Sequence, residues 1–469
     1  MKKLQLHAIA LALAAAFPSL ALAQSNDALM KELKALKDRV TQLEDALKAK
    51  DKPADADKQW GMTPQQLQDF NRVNVKTEAL EDAIEAQGFK GLKISGQMDP
   101  AFIYNRKQNR AGFQFLNRVN DDGYNYDNSY FGMAMIDFQK EMDGGTKWRL
   151  TLAPNRGVGS VFDGQSVVHE ASVSIPLGDL QTRLIAGQIP DWSGYEYLPP
   201  TQNKLITHNL LFDFTLPTAY TGAGMEIISG KWDVKAVLAN MNASRKSSGN
   251  KAPVLAYRVD YSKGEYNGFG FAGVHGKVAN FRADDGVGNP VTGAPYDTRD
   301  SFANLIEFDA YFIRGDWTVQ GQLSYGMQRN GAITADPVTG ELRDSRWYGA
   351  SVLAAYKFTP RLEGITRFDY INNKKNGGGL LGYNFSDGRN GIGPGYVDDG
   401  AGGWAVADPE RGANRMALSF GVGYLFNANT TFKAEYRLDR ANQAVFIDAR
   451  DGSYSKSNHL LGASMVLSF

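Results

Sequence analysis

The sequence contains no cysteine, so no disulfide bond can stabilise the protein. It also has no excess of either charge, since 51 Lys and Arg residues balance 51 Asp and Glu residues. This balance argues against a nucleic acid partner, and any charge selectivity must come from the local arrangement of side chains. After residue 23 there is no run of about 18 apolar residues, so we expect no transmembrane helix in the mature protein.

The first residues of the chain have the pattern of an export signal. Lys2 and Lys3 precede an apolar stretch at 4–17, and residues 21–23 form an A-x-A cleavage site. We therefore predict a signal peptide at 1–23 and an exported mature protein. Without a transmembrane helix, such a protein can enter a membrane only as a β-barrel.

Two helices are predicted at the mature N-terminus, at 24–50 and 63–88, with a polar linker at 51–62 between them. The first has an apolar seam flanked by charges, with heptad-like spacing. The seam residues are Leu29, Leu33, Leu36, Val40, Leu43 and Leu47. Because so short a helix is marginally stable alone, we predict a coiled coil between subunits. Docking of the helix on its own chain is the alternative.

From residue 91 onward, apolar and polar residues alternate in about sixteen segments, each of about 9–12 residues, the length of a tilted membrane-crossing strand. The segments are 92–104, 130–140, 146–153, 166–176, 180–190, 220–229, 231–241, 253–263, 267–278, 303–313, 317–328, 346–358, 361–371, 414–426, 430–440 and 459–469. Their connections alternate between short turns and long loops. An outer-membrane barrel has short periplasmic turns and long external loops, whereas a soluble sandwich has no reason to sort them. The sequence therefore predicts an all-β protein with a transmembrane antiparallel β-barrel at 91–469.

The last segment ends the chain on Phe469, with Leu467 and Met465 at the preceding alternate positions. Together with the signal peptide, the N-terminal seam and the alternating strands, this ending resembles the Gram-negative outer-membrane porins. Some of these, including the phosphate-selective type, also have an N-terminal coiled coil. The resemblance implies that Phe469, Leu467 and Met465 form a signal for the barrel-assembly machinery. It further implies contact with outer-membrane lipid and lipopolysaccharide, and a homotrimer, although a monomer stays open. Residues 24–88 would lie in the periplasm, where they could contact the cell wall or a periplasmic partner.

The segment 191–219 connects the fifth and sixth predicted strands and carries apolar residues that an external loop should not expose. In general porins the loop at this position folds into the barrel and narrows it. We therefore predict a constriction, with packing over the rim as the alternative. The candidate residues are Asp191, Glu196, Lys204, His208 and Asp213 on the loop and Arg149, Arg183 and Arg258 on the wall. Both signs of charge occur on the predicted inner face, for example at Lys433, Glu435 and Arg437, which favours a hydrated lumen of mixed sign over an anion-guiding ladder.

The five histidines are widely spaced and none has a metal-ligand spacing. We therefore predict no enzyme activity, no metal and no cofactor. The predicted function is an outer-membrane porin with a water-filled channel for passive diffusion of small hydrophilic solutes and ions. One alternative is an outer-membrane hydrolase, for which His208 and His459 are the candidate histidines. The other is a structural outer-membrane tether or adhesin that uses the N-terminal helices or the long 372–413 loop.

Overall fold

The computed structural model divides the chain into two compact units, residues 1–91 and 92–469. It describes residues 34–35, 37–42, 64–86, 89–116, 131–154, 167–217, 219–241, 253–280, 288–296, 300–332, 335–375, 392–408 and 411–469. The predicted signal peptide and linker lie outside these residues. So do the seam residues other than Val40, which is exposed.

In the first unit, helix α1 spans Pro64–Ala86. It begins at a proline, whose fixed φ suits a helix and whose missing N–H would have no partner in the first turn. Residues 37–42 are helical as well. Side chains such as Leu67 and Val73 are exposed on α1 within this unit. In the part of the chain that is described, none of the helices has the length and apolar character needed to pass through a bilayer.

The second unit is a closed barrel of sixteen antiparallel strands. The strand segments are β1 (Leu92–Met98), β2 (Ala101–Asn105), β3 (Arg110–Gln114), β4 (Ala134–Glu141), β5 (Lys147–Leu152), β6 (Val168–Leu177), β7 (Asp179–Pro190), β8 (Ala219–Ser229), β9 (Trp232–Met241), β10 (Pro253–Gly264), β11 (Asn267–Ala279), β12 (Asp300–Arg314), β13 (Trp317–Gln328), β14 (Ser345–Lys357), β15 (Leu362–Asn373), β16 (Tyr396–Asp398), β17 (Trp404–Val406), β18 (Asn414–Asn427), β19 (Thr430–Ala441), β20 (Phe446–Ile447), β21 (Tyr454–Ser455) and β22 (Ser457–Ser468). The pairs β16–β17 and β20–β21 are separate hairpins. Strand β22 pairs with β19 on one side and with β1 and β2 on the other, which closes the barrel. The predicted fold class is therefore confirmed.

Two of the sixteen wall strands are interrupted. The first consists of β1 and β2, separated at Pro100, which has no N–H to donate to a sheet. The second consists of β3 and β4, and the Met133 N–H before β4 donates to the Asp99 carboxylate. The predicted segments 92–104 and 130–140 leave one long loop over 105–129 between them. This prediction is wrong in its first part, because a tight turn after β2 leads directly into β3. Strand β3 is too short and too weakly alternating for the sequence pattern to reveal it.

Short turns close the hairpins at one end of the barrel. The two-residue turns between β8 and β9 and between β12 and β13 begin with Gly230 and Gly315. Their φ angles are 61° and 58°, in the left-handed region that glycine adopts without steric cost. These glycines therefore allow the tight reversals that keep the strands in register.

The barrel wall is apolar outside and polar inside. In β18, Met416, Phe420 and Val422 point outward and are exposed, whereas Arg415 and Ser419 point inward and are fully buried. Successive side chains of a strand point to opposite faces of the wall. Here the apolar face is outside and the polar face is inside, which is the reverse of the arrangement in a soluble protein. Such a barrel has an apolar exterior and a charged lumen.

Candidate functional site

Residues 191–217, which we name the inner loop, connect β7 to β8 and contact inward-facing residues of the wall. The loop contains helix α2 (Leu210–Thr215), and its N-cap is Asn209. The Asn209 side chain accepts hydrogen bonds from the N–H groups of Leu211 and Phe212, at 2.9 and 2.8 Å. The cap satisfies two donors that a helix start leaves free. This helix is too short to be stable alone, so the cap and the wall must hold it.

Apolar side chains of the inner loop are buried against the wall. They are Tyr195, Leu198, Leu205, Leu210, Leu211, Phe214 and Leu216. Two of them lie over glycines, where an added Cβ would collide with the leucine: Leu205 over Gly421 and Leu211 over Gly349. The missing side chains at these glycines make room for the loop inside the barrel.

Charged residues of β15 and β19 hold the backbone of the inner loop. Arg367 donates to the carbonyl oxygens of Thr207 and His208, at 2.6 and 2.9 Å. Glu435 accepts from the Thr207 N–H at 2.8 Å and from its hydroxyl at 2.6 Å. Arg437 donates to the His208 carbonyl oxygen at 2.7 Å and to the Thr207 hydroxyl at 3.0 Å. These three wall residues are at most 1% exposed, so they act as a buried polar core around Thr207.

Further contacts extend this anchorage along the loop. Lys433 donates to the carbonyl oxygens of Pro200, at 2.7 Å, and Asn203. The Tyr195 hydroxyl lies 2.6 Å from that of Ser351 on β14. Contacts of this kind involve β13, β14, β15, β18 and β19, which we name the anchoring wall. Most of these contacts fix the inner loop to one side of the lumen, while Thr201 also bonds to Gln97 on β1 and Leu198 packs against Met135 on β4.

The opposite strands, β4–β12, form what we name the open wall, and two of the predicted arginines lie on it. Arg149 pairs with Asp137 at 2.8 Å and with Glu170 at 3.3 Å, and its side chain is 43% exposed. Arg258 pairs with Asp260 at 2.6 Å and with Asp309. Each arginine has two carboxylate partners. The positive charges of these two arginines are therefore neutralised locally, and the carboxylates around them are in excess.

The third predicted arginine, Arg183, lies elsewhere. Its guanidinium donates to the carbonyl oxygen of Gly145 at 2.7 Å and to that of Ser174 at 3.0 Å. Gly145 belongs to the short turn between β4 and β5, at the end of the barrel opposite the long loops. The structure does not bring Arg183 to the inner loop.

Of the predicted loop residues, Glu196 and Lys204 contact the anchoring wall. Glu196 is buried and pairs with Arg367 at 2.8 Å, and burial raises the pKa of its carboxyl despite that partner. Lys204 pairs with Glu363 on β15 at 2.7 Å. Their geometry makes both residues part of the anchorage.

His208 is partly buried and Asp213 is buried. The His208 ring stacks on that of Phe212, with centroids 4.0 Å apart, and its Nε2 lies 3.0 Å from the Tyr197 carbonyl oxygen. Desolvation lowers the pKa of His208 to about 4, so the ring is neutral at physiological pH. Asp213 is buried within α2.

Asp191, the first residue of the inner loop, points toward the open wall. It accepts hydrogen bonds from the Tyr220 hydroxyl at 2.6 Å and from the Ser193 hydroxyl at 2.9 Å. Burial raises the pKa of Asp191 to about 6. The group is therefore an anion at neutral pH that is held by neutral hydrogen-bond donors.

A cavity of about 130 Å³, which we name the loop cavity, lies between part of the inner loop and β4–β6. Its lining includes Arg149, Glu170 and Asp191 among the charged residues and Met135 and Phe212 among the apolar ones. Among the described residues, no group of three or more His, Cys, Asp or Glu side chains is arranged to hold a metal ion. The arrangement is suited to binding or filtering a solute.

Sequence reasoning placed Glu435 and Arg437 on the inner face but did not connect them to the inner loop. Strand alternation reports which face a residue occupies and gives no information about which distant segment covers it. A partial signal exists, because charges of both signs recur at inward positions of β15 and β19. That clustering is typical of a compensated, buried network.

Solved structures similar to this chain are outer-membrane proteins. The anion-selective porin from Comamonas acidovorans matches 81% of the chain, with 10% identity, a TM-score of 0.49 and 99% of that porin covered. The outer membrane channel DcaP of Acinetobacter baumannii matches 81%, with 12% identity, a TM-score of 0.47 and 97% of it covered. OmpT of Vibrio cholerae matches 81%, with 10% identity, a TM-score of 0.49 and 97% of it covered. Similarity this low does not carry the selectivity of any of these proteins to this chain.

No curated protein matches the chain. The family described as "Protein of unknown function (DUF3138)" matches residues 56–469, from the segment before α1 to the end of the barrel. Since this match covers most of the chain, the protein belongs to the DUF3138 family.

Proposed function

We propose that this protein is an outer-membrane porin of a Gram-negative cell. Its barrel would span the outer membrane and let small hydrophilic solutes and ions diffuse passively through the lumen. The observation that carries the proposal is the inverted wall, with exposed apolar residues outside and ion pairs inside. Charges that faced lipid near the middle of a membrane would each cost several kcal/mol, so this distribution fits a barrel surrounded by lipid.

Aromatic pairs on the outer surface support the membrane location. Trp232 and Tyr261 have ring centroids 4.7 Å apart, and Trp317 and Tyr356 have centroids 4.8 Å apart. All four belong to strand ends next to short turns. Tyrosine and tryptophan concentrate at membrane interfaces, because they present an apolar ring and a polar group together.

The passage for solutes would run between the inner loop and the open wall. Two cationic side chains there keep contact with solvent: Arg149 is 43% exposed, and Lys235, which pairs with Glu226 and Asp233 at 3.1 Å each, is 28% exposed. The inner loop narrows the lumen by occupying the anchoring side. With both signs of charge on the wall, the channel would select weakly by charge and mainly by size.

The assembly of the protein is part of the same proposal. The Phe469 N–H donates to the Gly96 carbonyl oxygen at 3.0 Å, and the Gly96 N–H donates back at 3.1 Å, where the last strand meets the first. Phe469, Leu467 and Met465 would serve as the signal for the barrel-assembly machinery. The protein would form a homotrimer with its N-terminal helices in the periplasm. It would catalyse no reaction.

Planar-bilayer recording of the purified protein tests the proposal. We expect stepwise, ohmic conductance increases and a small reversal potential in a salt gradient. Insertion without any conductance would contradict the porin function and favour a tether or an enzyme. A heat-modifiable band on a denaturing gel would show in the same sample that the barrel is folded.

A further inference from the structure

The loop cavity has the size of a binding site for a small organic molecule. Its volume is about 130 Å³. An apolar cavity of about 150 Å³ in another protein holds benzene, so one ring-sized group fits the available space.

One side of the loop cavity is apolar. Met135 on β4 and Leu198 of the inner loop are buried together, and Phe212 packs against them. Leu216 lies beside them and is also buried. Phe212 has one ring face covered by His208, which fixes its orientation. These side chains offer a preformed surface for an apolar body.

The other side of the loop cavity carries more negative than positive charge. Arg149 is its lining cation and already has two carboxylate partners, Glu170 and Asp137. Glu196 is compensated by Arg367. Asp191 adds a further carboxylate, whose hydrogen-bond donors are neutral.

More distant charged groups do not reverse this balance at Asp191. Arg258 on β10 attracts its charge, whereas Glu307 on β12 lies close enough to repel it. Arg258 is itself paired with Asp260 and Asp309. An ammonium group would therefore find uncompensated negative charge at this cavity, whereas a carboxylate would compete with two acids for Arg149.

We propose that the loop cavity binds small organic monocations that combine a protonated amine with an apolar body of about one ring. The amine would lie at Asp191 and Glu170, and the apolar body would lie against Met135 and Phe212. The inference rests on the proposed porin function and names a class of solute that this channel would retain and pass.

The test compares three probes of similar size in planar bilayers. Benzylammonium should reduce the conductance in a saturable way, whereas benzyl alcohol and benzoate should not at the same concentration. Equal block by benzoate would overturn the proposal, since it would place an anion at Arg149. Calorimetric titration of detergent-solubilised protein measures binding of the same probes without an open channel.

Two variants locate the site, and a third controls for the loss of a lumenal carboxylate. Asp191→Asn and Glu170→Gln should each weaken benzylammonium binding about tenfold, as expected for loss of a charged hydrogen-bond partner. Asp233→Asn removes a carboxylate that pairs with Lys235 and does not line the loop cavity. Its affinity should stay at the wild-type value. Heat-modifiable migration of each variant checks that the barrel is folded.

The outcomes separate this inference from the porin proposal. Conducting channels without benzylammonium binding would overturn the site and leave the porin intact. Calorimetric binding with the expected variant pattern, but without conductance, would support the site and refute the porin. Binding that none of the three variants changes would show that the amine lies elsewhere, which also overturns the proposal.

Discussion

The anchoring wall and the open wall both carry inward-facing basic residues, but these residues differ in how far they are buried. On the anchoring wall, Arg367 and Arg437 are fully buried and hold the inner loop. On the open wall, Arg149 and Lys235 sit at equivalent inward positions and remain 43% and 28% exposed. In a wide barrel, an inward position therefore does not define the role of a charge. The role depends on whether another segment covers the charged residue. A charge that the inner loop covers becomes part of a buried core and no longer lines the lumen.

The largest expected difference between the walls comes from removing one arginine on each. Arg367→Met should lower the free energy of unfolding by about 3–5 kcal/mol, because Glu196 and Asp369 would remain buried without their partner. Arg149→Met on the open wall should cost about 1 kcal/mol or less, since solvent screens that site. Urea unfolding in detergent micelles, followed by tryptophan fluorescence, measures both. Equal losses would erase the distinction between the walls.

A smaller effect should follow from removing one hydroxyl at the centre of the anchorage. Thr207→Val loses hydrogen bonds to Arg367, Glu435 and Arg437. We expect a loss of about 2–3 kcal/mol in the free energy of unfolding, because charged partners are left unsatisfied. Thr151→Val on the open wall removes a single bond to Asp137 and should cost about 1 kcal/mol. The same unfolding assay compares them, and a larger loss at Thr151 would contradict the assigned roles.

The apolar contacts of the inner loop make a third comparison. Gly421→Ala should cost about 1–2 kcal/mol in the free energy of unfolding, because the new Cβ would collide with Leu205. In a Leu205→Ala background the same substitution should cost almost nothing, which a double-mutant cycle would reveal. Gly112→Ala is the control, since open space surrounds that position and alanine is no worse in a strand. A cost independent of Leu205 would show that the loop does not press on this glycine.

The fold could be predicted from sequence because alternation and turn chemistry are local. The segment predicted at 231–241 corresponds to β9 at Trp232–Met241, and that predicted at 430–440 to β19 at Thr430–Ala441. Strand β3 was not predicted because its five residues show no clear alternation of apolar and polar side chains. The interruption at Pro100 was not predicted because apolar and polar residues alternate on both sides of it. Local rules thus predict strand existence better than strand continuity.

The candidate site was predictable only in part. The apolar residues of 191–219 indicated a segment that avoids water, and most of them are buried. Alternation also gave the correct face for Arg149 and Arg437. Alternation could not give the height of a residue, that is, its position along the barrel axis. Height separates Arg183, at the end with the short turns, from Arg149, at the loop cavity. Height and facing partner depend on strand tilt and loop path, which are properties of the closed barrel as a whole.

The smallest expected effect concerns pH and the charge of Asp191. Burial raises the pKa of Asp191 to about 6, so this carboxyl is ionised at neutral pH and becomes neutral as the pH falls through that value. The cation preference of the channel should therefore decrease from about pH 7.5 to about pH 5. Salt screening should keep the change in permeability ratio below about twofold.

Reversal potentials in a potassium chloride gradient measure this change. Asp191→Asn should show the weaker cation preference at both pH values, whereas Asp233→Asn, on the open wall, should keep the pH dependence. A pH dependence that survives in Asp191→Asn would assign the titration to another group. The two walls would then differ only in their exposure to solvent. The open wall would not be distinguished by a loop residue that faces it and titrates near neutral pH.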